Sequence, residues 1–513
     1  MKKYIYMAAF LAIGQQAEAQ NTYDNAILAT EDLNGTARYV AMGGAMDALG
    51  TDISTISSNP AGLGLIRRST ANFTVGVVGQ QDAQNWGGGH ATHMVFDQAG
   101  FVWANQISST DFVNFAFNYH MSRNFNHILK AADNLPLDEN GYPCASQNRL
   151  TYEKEVDGLL YDANNNALYT NTQLDYALME NTDLVWDTQS QSLGYWGATD
   201  YTMNRATKGY ISCYDFALSG NVDNTFYWGI TLGLQDVKYR HYGEYLENYR
   251  TEGNYNLRVQ DDRAIDGTGF DLKLGVIFRP IDDSPLRFGV SVATPTWYDL
   301  KSQNVSYLIS SNSGERVPFE NLTHDFKLNT PWKFGLSAGH AIGREIAVGV
   351  GYEYADYSAM DTRYDNDDYY YSSSTSDEIM NRHTEETLRG VSTFKVGVEY
   401  CPIPELAFRV GYNYVSPMYQ KVGYKDTTVD SPGTSVLTTT DFTNWDSTNR
   451  FSLGIGYNIG NWNVAATYLY TEQKGTFEPF YYKSPYEDFC VDANQVNIVN
   501  KRNHFQLSVG YKF

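Results

Sequence analysis

Fourteen stretches of this chain place an apolar side chain at every second position. They run over residues 69–80, 94–107, 111–123, 210–221, 225–240, 268–279, 285–297, 323–340, 345–358, 391–401, 405–416, 447–459, 461–473 and 503–513. Phe270, Leu272, Leu274, Val276 and Phe278 form one such series, with Asp271, Lys273, Gly275 and Ile277 between them. The final stretch repeats the pattern with Phe505, Leu507, Val509, Tyr511 and Phe513. Successive side chains of a strand point to opposite faces, so most of these strands have one apolar and one polar face. Most also reach the roughly 9–11 residues that a tilted membrane-crossing strand needs.

The connections alternate between short and long. Ser108–Thr110, 221–224, 279–284, 341–344, Pro402–Pro404 and Gly460 are tight. Residues 82–93, 124–209, 241–267, 298–322, 359–390, 417–446 and 474–502 form the other set. Outer-membrane barrels have short periplasmic turns and longer extracellular loops. The rhythm therefore predicts an all-β, 14-stranded antiparallel transmembrane β-barrel over 69–513. Its even strand number places both termini on the periplasmic side.

Mean hydropathy is −0.43, and no run reaches the length of a membrane helix. That does not oppose a barrel, because only every second residue meets lipid. Forty-one Tyr and nine Trp suit the two bilayer interfaces, where one end of the ring is dry and the other wet. The formal charge of −22 excludes nucleic acid as an expected partner. At the N-terminus, Lys2 and Lys3, the apolar run Tyr4–Ile13 and the Ala17-Glu18-Ala19 site read as a signal peptide over 1–19. Four cysteines without a C-x-x-C pair indicate neither a disulfide-built fold nor zinc. Cys144 and Cys490 fall in predicted outer loops, where a disulfide between them is possible.

Residues 20–68 do not alternate. Ala37–Gly50 is rich in small residues and partly helical in pattern, and Ser57–Gly64 reads as a tight turn entered through Asn59-Pro60. The string ARYVAMGGAMDALGTDISTISSNPAGLG (37–64) resembles the N-terminal hatch of FadL-type outer-membrane transporters of long-chain fatty acids and aromatic hydrocarbons. The resemblance continues in 267–295, 330–339 and 394–417 and in the last strand. Phe513 also resembles the C-terminal signal that such barrels present to their insertion machinery.

The resemblance implies a barrel plugged by a hatch over 20–68. It also implies passive uptake of a hydrophobic small molecule, released sideways into the outer-membrane lipid through an opening beside a kinked third strand. Asn59, Pro60 and Ala61, with Gly43 and Gly44, would then be hatch residues beside the ligand path; turn chemistry alone also accounts for 59–61. The third strand would carry Val113, Phe115, Phe117 and Tyr119 at the lateral opening, or simply present them to lipid. It has no Gly or Pro to mark a kink.

No cofactor or metal is expected. The acidic stretch Asp361–Asp368 lacks the spacing of a calcium hand. Gly335–Gly339 spells G-x-S-x-G, but inside an alternating strand rather than at a strand-to-helix elbow, so the chain does not read as an enzyme. Two alternatives come from relatives of the same barrel family. One is docking of exported proteins through the loop 124–209; the other is haem reception using the loop residues His90 and His93.

Overall fold

The computed structural model describes residues 21–156, 184–187, 192–250, 255–281, 283–311, 316–318, 322–365, 374–426, 439–484 and 490–513. The expected leader 1–19 lies outside them. Fourteen antiparallel strands close into a barrel. They are β1 (Thr70–Gln80), β2 (Thr92–Gln106), β3 (Phe112–Asn124), β4 (Ala198–Val222), β5 (Phe226–Tyr249) and β6 (Asn256–Phe278). Next come β7 in two pieces (Arg287–Ala293, Trp297–Ser310), β8 in two pieces (Leu322–Asn329, Lys333–Ile342), β9 (Ile346–Asp356) and β10 (Gly390–Ile403). The wall ends with β11 (Leu406–Val415), β12 (Phe442–Ile459), β13 (Trp462–Glu478) and β14 (Val496–Lys512). Each strand pairs with its neighbour in sequence, and β14 closes on β1 from Thr70↔Lys512 to Gln80↔Arg502. Closure pairs the first strand with the last, so the wall has no free end strand, the condition for a sheet to cross lipid.

The two faces differ as the alternation requires. Phe73, Phe115, Leu218, Leu232, Leu274, Val290, Leu336, Val396, Phe408, Leu453 and Leu507 are exposed on the outside. Thr74, Asn114, Asp215, Thr231, Asp271, Lys395, Glu399, Arg409, Ser452 and Gln506 are buried inside. A wall that is apolar outside and polar inside matches a lipid-embedded barrel.

Two expectations are corrected. The stretches 198–209, 241–249 and 256–267, read as loops, are strand. β4, β5 and β6 are 25, 24 and 23 residues long and stay paired throughout, from Ala198↔Tyr249 to Phe226↔Phe278. Beyond the apolar band their outward positions carry Lys208, Arg240, Glu244 and Asp262, so the lipid-facing signature stops while the ladder continues. In the other direction, 285–297 and 323–340 are each interrupted, at Thr294-Pro295-Thr296 and at Thr330-Pro331-Trp332. Proline has no N–H to give a ladder, and the two interruptions lie side by side, joined by Thr330 N–H donating to Thr296 O at 3.1 Å.

Residues 21–66 lie mostly buried inside the barrel. Helix α1 (Thr22–Ala29) is capped by Asn21, whose side chain accepts from the N–H groups of Tyr23 and Asp24. It lies against the long connections: Tyr23 stacks on Tyr419 at 5.2 Å, and Thr22 Oγ1 is 2.8 Å from His383 Nδ1. The short helix α2 (Ala37–Ala41) and the 3-10 turns Ile53–Ile56 and Pro60–Leu65 descend from there. Inward side chains from all round the wall hold the segment. Ser452 Oγ donates to Ala41 O, Thr467 Oγ1 to Ala37 O, Thr231 Oγ1 to Ile56 O, and Arg38 pairs with Glu399 at 2.9 Å.

Asn21 and Phe513 therefore lie at opposite ends of the barrel. Phe513 N–H donates to Ser69 O beside the short turns, whereas Asn21 sits among the long connections. The expectation of both termini on the periplasmic side concerns, at the N-terminal end, residues that lie outside the described ones. Above the lumen two apolar clusters cap the long-connection end. One is built on Tyr201, Tyr245, Phe477 and Phe480, the other on Tyr23, Phe125, Tyr239, Phe326 and Phe442.

Candidate functional site

The expected hatch residues lie low in the lumen. Asn59, Pro60 and Ala61 are fully or almost fully buried, with Asn59 at 0 % exposure. Asn59 Oδ1 accepts from Ala61 N–H at 3.2 Å, capping the turn that Pro60 begins. A Cβ at Gly275 of β6 would collide with Asn59 Oδ1, so a glycine is required for this close approach. Gly43 and Gly44 have φ of 62° and 77° and turn the chain at the end of α2, where Gly43 packs on the backbone of Tyr412. All five residues pack the segment to itself or to the wall, and none lines the lumen cavity described below.

Val113, Phe115, Phe117 and Tyr119 lie in β3 where it is paired on both sides, with Asn105, Trp103, Phe101 and Ala99 of β2 and with Gly220, Leu218, Phe216 and Tyr214 of β4. Their rings pack with outward neighbours, such as Phe117 with Phe216 at 5.1 Å.

The wall parts just above them. The β2–β3 ladder stops at Gln98↔His120. β2 continues along β1 to Thr92↔Gly79 after a bulge at Asp97, and β3 continues along β4 to Asn124↔Tyr210 after a bulge at Ser122. Residues 92–97 and 121–124 thus face each other without a ladder. Phe96 stacks on Tyr119 at 5.0 Å on the outer side, and Met94 beside it is 80 % exposed. Val78, Val95 and Met121 close the inner side as a small apolar cluster. One side-chain hydrogen bond crosses the gap, from Asn124 Nδ2 to His93 Nε2 at 2.9 Å. His93 is therefore in β2, not in a loop.

A cavity of about 280 Å³ in the lumen reaches this gap. Its lining includes Ala26, Ile27, Glu31–Asn34, Tyr39, Met121–Asn124, Leu469 and Val78, with a ring of charged groups. Each lysine there has a carboxylate of its own: Lys333 with Glu31 at 2.6 Å, Lys273 with Asp271, and Lys395 with Glu353 at 3.3 Å. Three arginines, Arg123, Arg450 and Arg502, instead surround Asp32. Burial alone would push the Asp32 carboxyl up, but these guanidiniums and the Asn124 N–H hold it below the usual carboxylate range. Glu31 is likewise held down, against its burial, by Lys333.

Sequence reasoning missed Asp32, the three arginines and the bulge Met121–Asn124. The one available signal was the adjacent acids Glu31-Asp32 in a segment otherwise rich in small residues. Other expectations fall as follows. Ser337 lies in the middle of β8, paired with Gly289 and Gly351, without a strand-to-helix elbow. Cys144, Cys213, Cys401 and Cys490 are all free, and Cys490 Sγ is 3.2 Å from the Tyr481 hydroxyl. No cluster of potential metal ligands occurs among the described residues.

This geometry has solved counterparts. The toluene transporter TodX of P. putida aligns with 94% of this chain and 99% of its own, at 12% identity and a TM-score of 0.51. The monoaromatic hydrocarbon channel CymD aligns with 94% of this chain and 99% of its own, at 11% identity and a TM-score of 0.50. The fold is that of the FadL-type channels. A Pseudomonas aeruginosa FadL homologue also matches, at 13% identity over 94% of this chain and all of its own, with a TM-score of 0.49. No protein-family model and no curated protein matches the sequence.

Proposed function

We propose that this FadL-type barrel takes up hydrophobic small molecules across the outer membrane by passive diffusion and releases them sideways into the bilayer between β2 and β3. The observation that carries the reading is the meeting of the lumen cavity with the one stretch of wall around β3 that lacks a ladder. Residues 21–66 act as the hatch: α1 lies among the long connections, 30–34 line the cavity, and 35–66 pack buried against the wall toward the short-turn end, the periplasmic side on this reading, where Phe513 lies. The lateral route passes Val78, Val95 and Met121 and emerges beside Met94 and Phe96, so an apolar solute stays in apolar surroundings. Each methylene withdrawn from water contributes roughly 0.8 kcal/mol, enough to draw a long chain through without many polar contacts.

The cavity favours an amphipathic solute over a bare hydrocarbon. Its arginines offer charge-assisted hydrogen bonds suited to a carboxylate, as in a long-chain fatty acid. Uptake of a labelled C16 carboxylate and of labelled toluene into proteoliposomes tests the reading. The expected outcome is carboxylate uptake well above that of empty liposomes and above that of toluene. Equal values for protein-containing and empty liposomes with both solutes would overturn it.

A further inference from the structure

The outer face of the wall carries a pocket of its own, above the apolar band. On β4 to β7 that band ends in an outward row of Tyr214, Leu234, Phe270 and Trp297, paired strand to strand. Three rows further up, Lys208, Arg240, Ala264 and Gln303 pair across the same four strands, and the next row is Ala206, Tyr242, Asp262 and Val305. These two rows line a pocket of about 450 Å³. The β1–β2 connection roofs one side of it with a turn in which Trp86 and Gly89 bridge each other, and the Trp86 ring lies 5.3 Å from that of Tyr242.

The charges in the pocket are ones that a sheet does not favour by itself. Lys208 and Arg240 stand directly opposite each other, and Lys238 is the next outward residue below Arg240. Like charges directly opposite on neighbouring strands are destabilising. Arg240 has Asp266 at 2.9 Å and Lys238 has Asp236 at 3.5 Å, both pairs partly exposed. Lys208 is exposed and makes no ion pair among the described residues. Arg263 reaches the pocket from the lumen side, already paired with Asp24, and Asp262 is the one carboxylate among the lining residues. The formal charge of the chain is −22, so this cationic surplus runs against the charge of the whole. An anion between Lys208 and Arg240 would turn a repulsive pair into two charge-assisted contacts, and a planar guanidinium suits phosphate oxygens.

Height selects the kind of anion. Six residues of β5, at about 3.3 Å each, put Arg240 roughly 20 Å along the strand above Leu234. At a strand tilt of about 40° that is roughly 15 Å along the membrane normal. The polar layer of a phospholipid leaflet is only about 5–7 Å deep, so a phospholipid ends below the pocket. A lipid with a saccharide head extends further.

We propose that this pocket binds the phosphorylated saccharide head of an outer-leaflet glycolipid, whose acyl chains lie on the apolar band below. Lys208 and Arg240 hold the phosphate, and the Trp86 and Tyr242 rings pack on a sugar. The inference takes the apolar band as lipid-facing and the long connections as exterior, as the transport reading does, and requires nothing of transport itself.

The test uses the full-length barrel in detergent micelles and measures binding of fluorescently labelled rough lipopolysaccharide. Dephosphorylating its saccharide is expected to weaken binding about tenfold or more, in line with the loss of hydrogen bonds between charged groups. Phosphatidylglycerol is expected not to compete. Lys208→Gln combined with Arg240→Gln should weaken binding of the phosphorylated form about as much as dephosphorylation does, and should leave binding of the dephosphorylated form unchanged. Lys474→Gln, at an exposed site on β13 across the barrel, should leave both unchanged. Equal binding of the two glycolipid forms, or undiminished binding by the double variant, would overturn the assignment. Displacement by phosphatidylglycerol, or by inorganic phosphate at equal concentration, would overturn it as well. The comparison of the two glycolipid forms is made on the unaltered protein, so it stands even where a variant fails to fold. Solute uptake by the double variant in proteoliposomes is expected to equal that of the parent. Uptake with no glycolipid binding sinks this inference alone, and glycolipid binding with no uptake sinks the transport reading alone.

Discussion

β1 and β2 are neighbours, yet the seams on their far sides behave in opposite ways. The β1–β14 seam joins the two ends of the barrel through eleven consecutive pairs without a break. The β2–β3 seam joins strands that follow each other after a three-residue-class turn and still stops after nine pairs. Closeness in sequence therefore does not decide which seam is tight. What differs is the interior. Behind β1–β14 the wall bonds strand to strand, Thr74 Oγ1 lying 2.6 Å from Ser508 Oγ, and the lumen segment only adds to that, Ala37 N–H donating to Ser508 Oγ at 2.7 Å. Behind the parted seam the wall bonds to a separate segment, through Asp32 and Asn34. A seam whose strands are joined through a separate segment can part without unravelling the barrel.

The largest effect expected from this contrast comes from cross-linking. In a background without native cysteines, oxidised Val95→Cys with Met121→Cys should bring solute uptake down to the level of empty liposomes, with recovery on reduction. Oxidised Thr74→Cys with Ser508→Cys should leave uptake as it was. Loss of uptake in the second pair but not the first would reverse the roles given to the two seams.

A smaller effect is expected from Met121→Ala. Removing a buried methionine side chain typically costs about 2–5 kcal/mol, and here the void lies in the gap itself. Ligand-free conductance in planar bilayers should rise severalfold, whereas Thr74→Ala on the closed seam should leave it unchanged. Equal conductance of both variants would remove the distinction.

The smallest effect at ordinary pH is that of acid. The Asp32 carboxyl lies below the usual carboxylate range in the folded protein, its burial outweighed by Arg123, Arg502 and Arg450. A depressed carboxylate contributes stability that is complete above its unfolded value, about 3.9, and is lost as pH falls through the lower folded value. Maleimide labelling of a Val95→Cys reporter placed in the gap of the cysteine-free barrel should thus be flat from pH 8 to 5 and rise only below about 4. With Asp32→Asn the acid-dependent rise should vanish. A rise centred near pH 6 would point to another group.

Much of the barrel was legible because lipid leaves a strict mark on every second residue. Phe270–Phe278 and Phe505–Phe513 announce their strands unaided, and the closing strand ends where alternation places it. The mark ends where lipid ends. Arg240 and Glu244 face outward in β5 as Ile230 and Leu232 do, but into water, so the upper half of that strand passed for loop. The parted seam was not legible at all. It consists of missing pairs between Thr92–Asp97 and Met121–Asn124, and pairing belongs to two strands at once, whereas propensity belongs to one. Asn59-Pro60-Ala61 stood out in the sequence because turn chemistry is local; Asp32 did not, because its role depends on arginines some 90 to 470 residues away.

The placement of Asn21 among the long connections has a consequence for assembly. When β14 docks on β1, the first strand and the last complete a ring around residues that precede them both. A segment pinned to inward side chains of β3, β5, β10, β12 and β13 is not readily threaded in after that ring is shut. A barrel closed around residues 21–66 has to complete its seam with that segment already inside.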